Sequence, residues 1–151
     1  MTTRVHSPLA GRVVALQDVP DPVFAEAVVG PGLAIDPDRT ASEVVSPVTG
    51  LLVKLHPHAF VVVTDGGSGV LVHLGIDTVE LKGEGFTLHA EEGSQVTAGQ
   101  PIVSWDPSEI ETGGRSPICP VVALDAQSDQ LTDVLEGGHV QAGTPLFTWS
   151  A

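Results

Sequence analysis

The sequence predicts an all-β chain, an antiparallel β-sandwich or flattened barrel with an internal duplication. Three observations predict it. First, 17 glycines and 12 prolines among 151 residues break the chain into short apolar runs, with a turn signal about every eight to twelve residues, the rhythm of short strands. Second, no long run holds a helical apolar period, and the prolines would break most longer helices. Third, segments recur. SPLAGRVVAL at Ser7–Leu16 matches SPVTGLLVKL at Ser46–Leu55, and SPICPVVAL at Ser116–Leu124 is a weaker echo. GSQVTAGQPIVSW at Gly93–Trp105 matches GGHVQAGTPLFTW at Gly137–Trp149, each preceded by a Glu. With so few copies, this is a folded duplication and not a solenoid.

Taken in order, each repeat reads as strand, Gly turn, strand. Between the first pair, VPDPVFAEAVVGPGLAI at Val19–Ile35 contains Asp21 in a Pro-flanked setting typical of turns. After Ser46–Leu55 come two apolar runs, HAFVVV at His58–Val63 and VLVHL at Val70–Leu74, joined by TDGGSG at Thr64–Gly69. That is a hairpin signature. Pro107–Thr112 and Asp129–Glu136 are short enough for single helical turns. Trp105 and Trp149 occupy equivalent repeat positions, which assigns them to packing. No linker interrupts residues 1–151, so the chain reads as one domain with its core from Ser7 to Trp149.

Composition excludes several roles. The chain carries 6 basic and 19 acidic side chains, a net charge of −13. Nucleic-acid phosphates and anionic membrane surfaces both demand Lys and Arg, so neither suits it, whereas a basic protein partner does. Cys119 stands alone, which rules out an internal disulfide or a thiolate cluster for zinc, and its apolar context makes it a core residue. No hydrophobic stretch is long enough to span a bilayer, and Met1–Ser7 lacks a signal-peptide apolar region. A cytoplasmic protein is expected.

Chemistry concentrates in GVLVHLGIDTVELKGEGF, Gly69–Phe86, which sets His73 in an apolar strand just downstream of His58 in HPHAF. Such an imidazole can serve as nucleophile, phosphoryl carrier or metal ligand. If Val63 pairs with Val70, Phe60 falls opposite His73. His58, Phe60, Val62, Leu71 and His73 then share one face, with the two histidines diagonal neighbours. A slip of a single residue in register would break that arrangement, and a bulge would rescue or spoil it. His6, His89 and His139 lie in polar or turn contexts without spaced partners.

Together with Val19–Ile35, the long segment HLGIDTVELKGEGF resembles the glucose-type enzyme IIA of the bacterial phosphoenolpyruvate-dependent sugar phosphotransferase system. The likeness runs from about Ser7 to Trp149, and the segment around HPHAF is similar to actinobacterial single-domain members. The resemblance implies a sandwich of the duplicated hybrid motif type. It implies that His73 takes a phosphoryl group through Nε2 from the histidine phosphocarrier protein and passes it to a cysteine of an enzyme IIB domain. His58 matches the second active-site histidine, donating an N–H to phosphoryl oxygens. An apolar docking patch maps onto Val23, Phe24, Val28, Val29 and Leu71. Asp21 and Asp77 match acidic positions facing the phosphocarrier, although either residue also suits a turn or cap. No cofactor, metal or membrane insertion is implied. The threonine usual near the second histidine is absent, and His56 enters as a rim residue that modifies the local pKa.

Two rival classes remain. His56-Pro57-His58 and His73-x-x-x-Asp77 are elements of zinc peptidases of related sandwich fold, here in reversed order and without an export signal. The G-x-x-V-x-A-G-x-P repeats resemble lipoyl or biotinyl carriers. Those need a modifiable Lys at a hairpin tip, and neither Lys54 nor Lys82 sits at one.

Overall fold

Short strands alternating with glycine turns build almost the whole chain. The structure, a computed structural model, describes residues 2–150. The strands are β1 Thr2–His6, β2 Gly11–Ala15, β3 Gly32–Pro37, β4 Ser42–Val45, β5 Gly50–His56, β6 Ala59–Val63 and β7 Gly69–His73. They continue as β8 Thr87–Leu88, β9 Gln95–Val96, β10 Pro101–Trp105, β11 Cys119–Ala123, β12 Leu131–Thr132, β13 His139–Val140 and β14 Pro145–Ser150. Two short helices, α1 Pro22–Ala25 and α2 Pro107–Thr112, interrupt them. The expected turn of helix at Pro107–Thr112 is therefore present. Asp129–Glu136 instead combines part of a 3-10 turn, Ser128–Gln130, with the strand β12.

An eight-stranded antiparallel sheet, ordered β13-β2-β3-β11-β7-β6-β5-β9, packs against two three-stranded sheets, β1-β14-β12 and β4-β10-β8. The result is a sandwich with open sheet edges, not a closed barrel.

The duplication is visible bond by bond. Ser7 and Ser46 are both buried, and each hydroxyl donates to the carbonyl two residues on, Leu9 at 2.7 Å and Val48 at 2.6 Å. His6 N–H donates to Pro47 O at 3.0 Å while Val45 N–H donates to Pro8 O at 2.8 Å, so the two Ser-Pro turns clasp each other reciprocally. The second repeat pair follows the same rule: Val140 pairs with Gly11, and Val96 with Gly50. Ser116, in the third and weaker copy, departs from the pattern and accepts from Ile118 N–H instead.

Strand alternation divides the apolar residues into two clusters. Val13, Leu33, Ile35, Val70, Val72, Val121 and Ala123 face the sandwich interior. Their neighbours in sequence, Val14, Ala34, Leu71 and Val122, face the other side and meet Leu16, Val19, Phe24, Val29 and Ile76. The smaller cluster is thus a lid of segment 16–29 on the outer face of the sheet. Phe24 is its large buried side chain, a burial that stabilises by about 1.5–3 kcal/mol. The lid lies beside His73.

Candidate functional site

β7 ends at His73, and the following chain turns sharply back toward it. Gly75 adopts φ +79°, a left-handed value that glycine alone takes freely. The turn brings its carbonyl to 2.6 Å from His73 Nδ1. A carbonyl only accepts, so Nδ1 carries the proton and Nε2 keeps its lone pair. Thr78, fully buried, donates its hydroxyl to Leu74 O at 2.7 Å and pins the same turn.

The register differs from the sequence expectation by one residue. Val63 pairs with Gly69, not Val70, and Ala59 stands opposite His73 in place of Phe60. The loop is the shorter Thr64–Ser68, closed by Thr64 N–H to Ser68 O at 3.0 Å and Gly67 N–H to Thr64 O at 2.9 Å. Those bonds draw Gly69 into the strand. Phe60 and Val62 consequently point into the main core. His58 is not a strand residue at all. It sits with Pro57 in the two-residue turn between His56 and Ala59, which are paired. Leaving the strand frees His58 from the alternation that would have sent it inward. Its carbonyl accepts Leu74 N–H at 2.7 Å, and its ring meets His73 edge-on with centroids 5.3 Å apart. The two histidines come together, by a different route from the one expected.

Electrostatics hold both rings neutral near pH 7. Burial pushes the His73 pKa down, opposed by the Gly75 carbonyl and by the charges of Asp21 and Asp77, with burial winning. His58 is lowered first by burial, then by the like charges of His73 and His56. A neutral imidazole with a free nitrogen is a nucleophile.

The other candidate residues fall into distinct settings. Phe24 packs against the His73 ring at 5.3 Å. Val29 and Leu71 are partly buried in the smaller cluster. Val23 and Val28 are exposed, 47% and 68% respectively. Asp21 is the N-cap of α1, its Oδ1 accepting from Val23 N–H at 2.9 Å. Asp106 begins α2 by the same Asp-Pro device. Asp77 is exposed, with φ 61° and no side-chain cap bond, so the alternative reading of it as a capping residue is not met. Sequence reasoning missed three features: the Gly75 carbonyl, buried Thr78 and Val79, a 60%-exposed apolar residue beside Asp77. Only the unbroken motif containing them hinted at their importance.

The chain has known relatives. A family model for the phosphoenolpyruvate-dependent sugar phosphotransferase system, EIIA 1, matches residues 3–129. The chain belongs to that family. It is 45% identical over 144 residues to the N-acetylglucosamine-specific EIICBA component of Escherichia coli, covering 93% of this chain and 22% of that protein. Identity is 40% over 148 residues to the β-glucoside-specific EIIBCA component of Bacillus subtilis, covering 97% and 24%. The chain therefore spans about a quarter of these relatives' length. The solved glucose permease IIA from Mycoplasma capricolum superposes with a TM-score of 0.88 at 30% identity, over 98% of this chain and 96% of that one. The sandwich is that of an enzyme IIA, and the chain is a phosphotransferase component.

Neither rival class gains support. Among the described residues no three His, Cys, Asp or Glu side chains gather to hold a metal. Lys54 lies within β5 and Lys82 ends the 3-10 turn Thr78–Leu81, so neither presents a carrier lysine at a hairpin tip. Cys119 is fully buried, its thiol pushed up to about 12 by burial, as a core residue should be. No helix among the described residues is long and apolar enough to cross a membrane.

Proposed function

We propose that His73 Nε2 accepts a phosphoryl group from the histidine phosphocarrier protein and hands it to a cysteine of an enzyme IIB domain. The observation that carries this reading is the Nδ1–H donated to Gly75 O, which leaves Nε2 as the free nitrogen. In the first step the Nε2 lone pair attacks phosphorus in line, and the donor's P–N bond breaks with its electron pair returning to the donor nitrogen. In the second, the thiolate takes the group and the pair returns to Nε2. His58 stabilises charge on the phosphoryl oxygens through an N–H as they pass.

Docking is assigned to the apolar rim of Val23, Phe24, Val28, Val29 and Leu71, with Asp21 and Asp77 meeting basic side chains of the phosphocarrier. An apolar rim, exposed at Val23 and Val28, around a partly desolvated centre suits short-lived complexes with exchangeable partners. The work takes place in the cytoplasm, where the phosphocarrier is expected. The sugar belongs to other components, since relatives of similar identity bear different sugars in their names.

The test is phosphotransfer from phosphoenolpyruvate with enzyme I and the phosphocarrier. The wild type should gain a base-stable, acid-labile phosphate that His73→Ala lacks. His58→Gln should accept phosphate yet pass it on slowly. An unlabelled wild type, or a labelled His73→Ala, would end this reading.

A further inference from the structure

The His58 turn is anchored at its backbone but not at its ring. Its carbonyl is bonded to Leu74 N–H, and Pro57 is covered by the chain at Gly83, where an added Cβ would lie 3.2 Å from Pro57 Cγ. These contacts set the position of the His58 Cα and leave two soft side-chain torsions open. Among the described residues no hydrogen bond holds the ring itself. Two rings neighbour it instead. His73 meets it edge-on at an interplanar angle of 70°, and His56 lies nearly parallel at 23° with centroids 5.7 Å apart. His56 is exposed and contributes nothing to the core.

We infer that His56 is a positioning residue for phosphoryl transfer: its stacked imidazole is the wall that holds the His58 ring against His73. The inference rests on the phosphocarrier reading of His73. One wall of the His58 slot is the reacting group, whose surroundings change when phosphate arrives and leaves. The second neighbouring ring, His56, takes no part in the reaction and keeps its surroundings while phosphate comes and goes. A mobile His58 would spend part of its time aimed away from the phosphoryl oxygens, and misplacement of a donor lowers the rate without preventing the reaction. Charge adds a second effect. Positive charge on His56 or His73 opposes a proton on His58. Asp21 and Asp77 act on His73 instead.

Two variants separate ring from charge. His56→Phe keeps a flat ring and removes the titrating group; His56→Ala removes both. Transfer from the labelled protein to an enzyme IIB domain is followed in single turnovers, and His58 is titrated by 15N NMR in each variant. His56→Ala should slow transfer by about 3- to 10-fold, the scale of one aromatic pair, while final labelling of His73 and the melting temperature stay at wild-type values. His56→Phe should keep the wild-type rate at about pH 8, where imidazoles are neutral. In both variants the His58 midpoint should rise, because a repelling charge is gone. A His56→Ala rate equal to wild type, or a His56→Phe rate as slow as His56→Ala, overturns the inference alone. Absence of label on the wild type overturns the phosphocarrier reading and this inference with it.

Discussion

Gly75→Ala strikes the carbonyl that sets the His73 tautomer, and its cost can be worked from the structure. The residue sits at φ +79°, where an L side chain costs about 1–2 kcal/mol. Its new Cβ would lie 2.7 Å from Thr78 Cγ2 and 3.1 Å from Ser116 O. Thr78 is fully buried and tied by its hydroxyl to Leu74 O, so it has little room to yield. Overpacking of that kind adds about 1–3 kcal/mol. The sum, about 2–5 kcal/mol, should lower the urea midpoint by about 1 to 2.5 M at an m-value of about 2 kcal/mol/M. Adding Thr78→Ser removes Cγ2 but keeps the hydroxyl, and should return the overpacking part while leaving the backbone part. The second readout is 15N NMR of His73, expected as a single neutral Nδ1–H tautomer in wild type and a mixture in Gly75→Ala. A variant with wild-type midpoint and tautomer would refute the reasoning. A destabilised variant that Thr78→Ser does not help would refute the packing half.

Stability should fall on acidification. His73 and His58 have pKa values below the ordinary histidine value, which is about 6.5. Between the lowered values and the ordinary one the unfolded chain binds protons that the native chain refuses. Their contribution is complete above that window and shrinks as pH drops through it. Urea midpoints from about pH 8 to about pH 5 should show this slope, and replacing both histidines by Gln should flatten it. The duplication predicts twin lesions. An added Cβ at Gly11 would lie 2.4 Å from Asp36 O, and at Gly50 2.2 Å from Val63 O, both rigid backbone atoms. Gly11→Ala and Gly50→Ala should each lower the thermal midpoint sharply and to a similar extent; a silent variant at either site would break the equivalence. Cys119 should ignore an aromatic disulfide reagent in the native protein and react once in denaturant, because it is buried with its thiol pushed up to about 12. Release of one equivalent without denaturant would contradict that burial.

Local periodicity made most of the fold legible. Paired Ser-Pro and Gly-x-x-Val segments announced the duplication, since each repeat needs the same buried Ser and the same close-packed Gly to make its turn. The apolar runs around His58 and His73 announced strands for the same local reason: alternation is a property of neighbouring residues. The motif around His73, being long and continuous, also marked the segment on which the proposed chemistry is placed.

Tertiary structure decided what depended on bonds between distant residues. Whether Gly69 closes the loop or joins the strand turns on a few hydrogen bonds within Thr64–Ser68, and that choice moved Phe60 from the site to the core. His58 reached His73 because a tight turn released it from the strand; in the observed register, alternation would have turned it inward. Asp21 became a helix cap because α1 belongs to an apolar lid that only the folded sheet anchors. The free nitrogen of His73 was settled last, by the Gly75 carbonyl. A sequence displays which residues can alternate or turn. Which lone pair stays unused depends on where a backbone oxygen comes to rest.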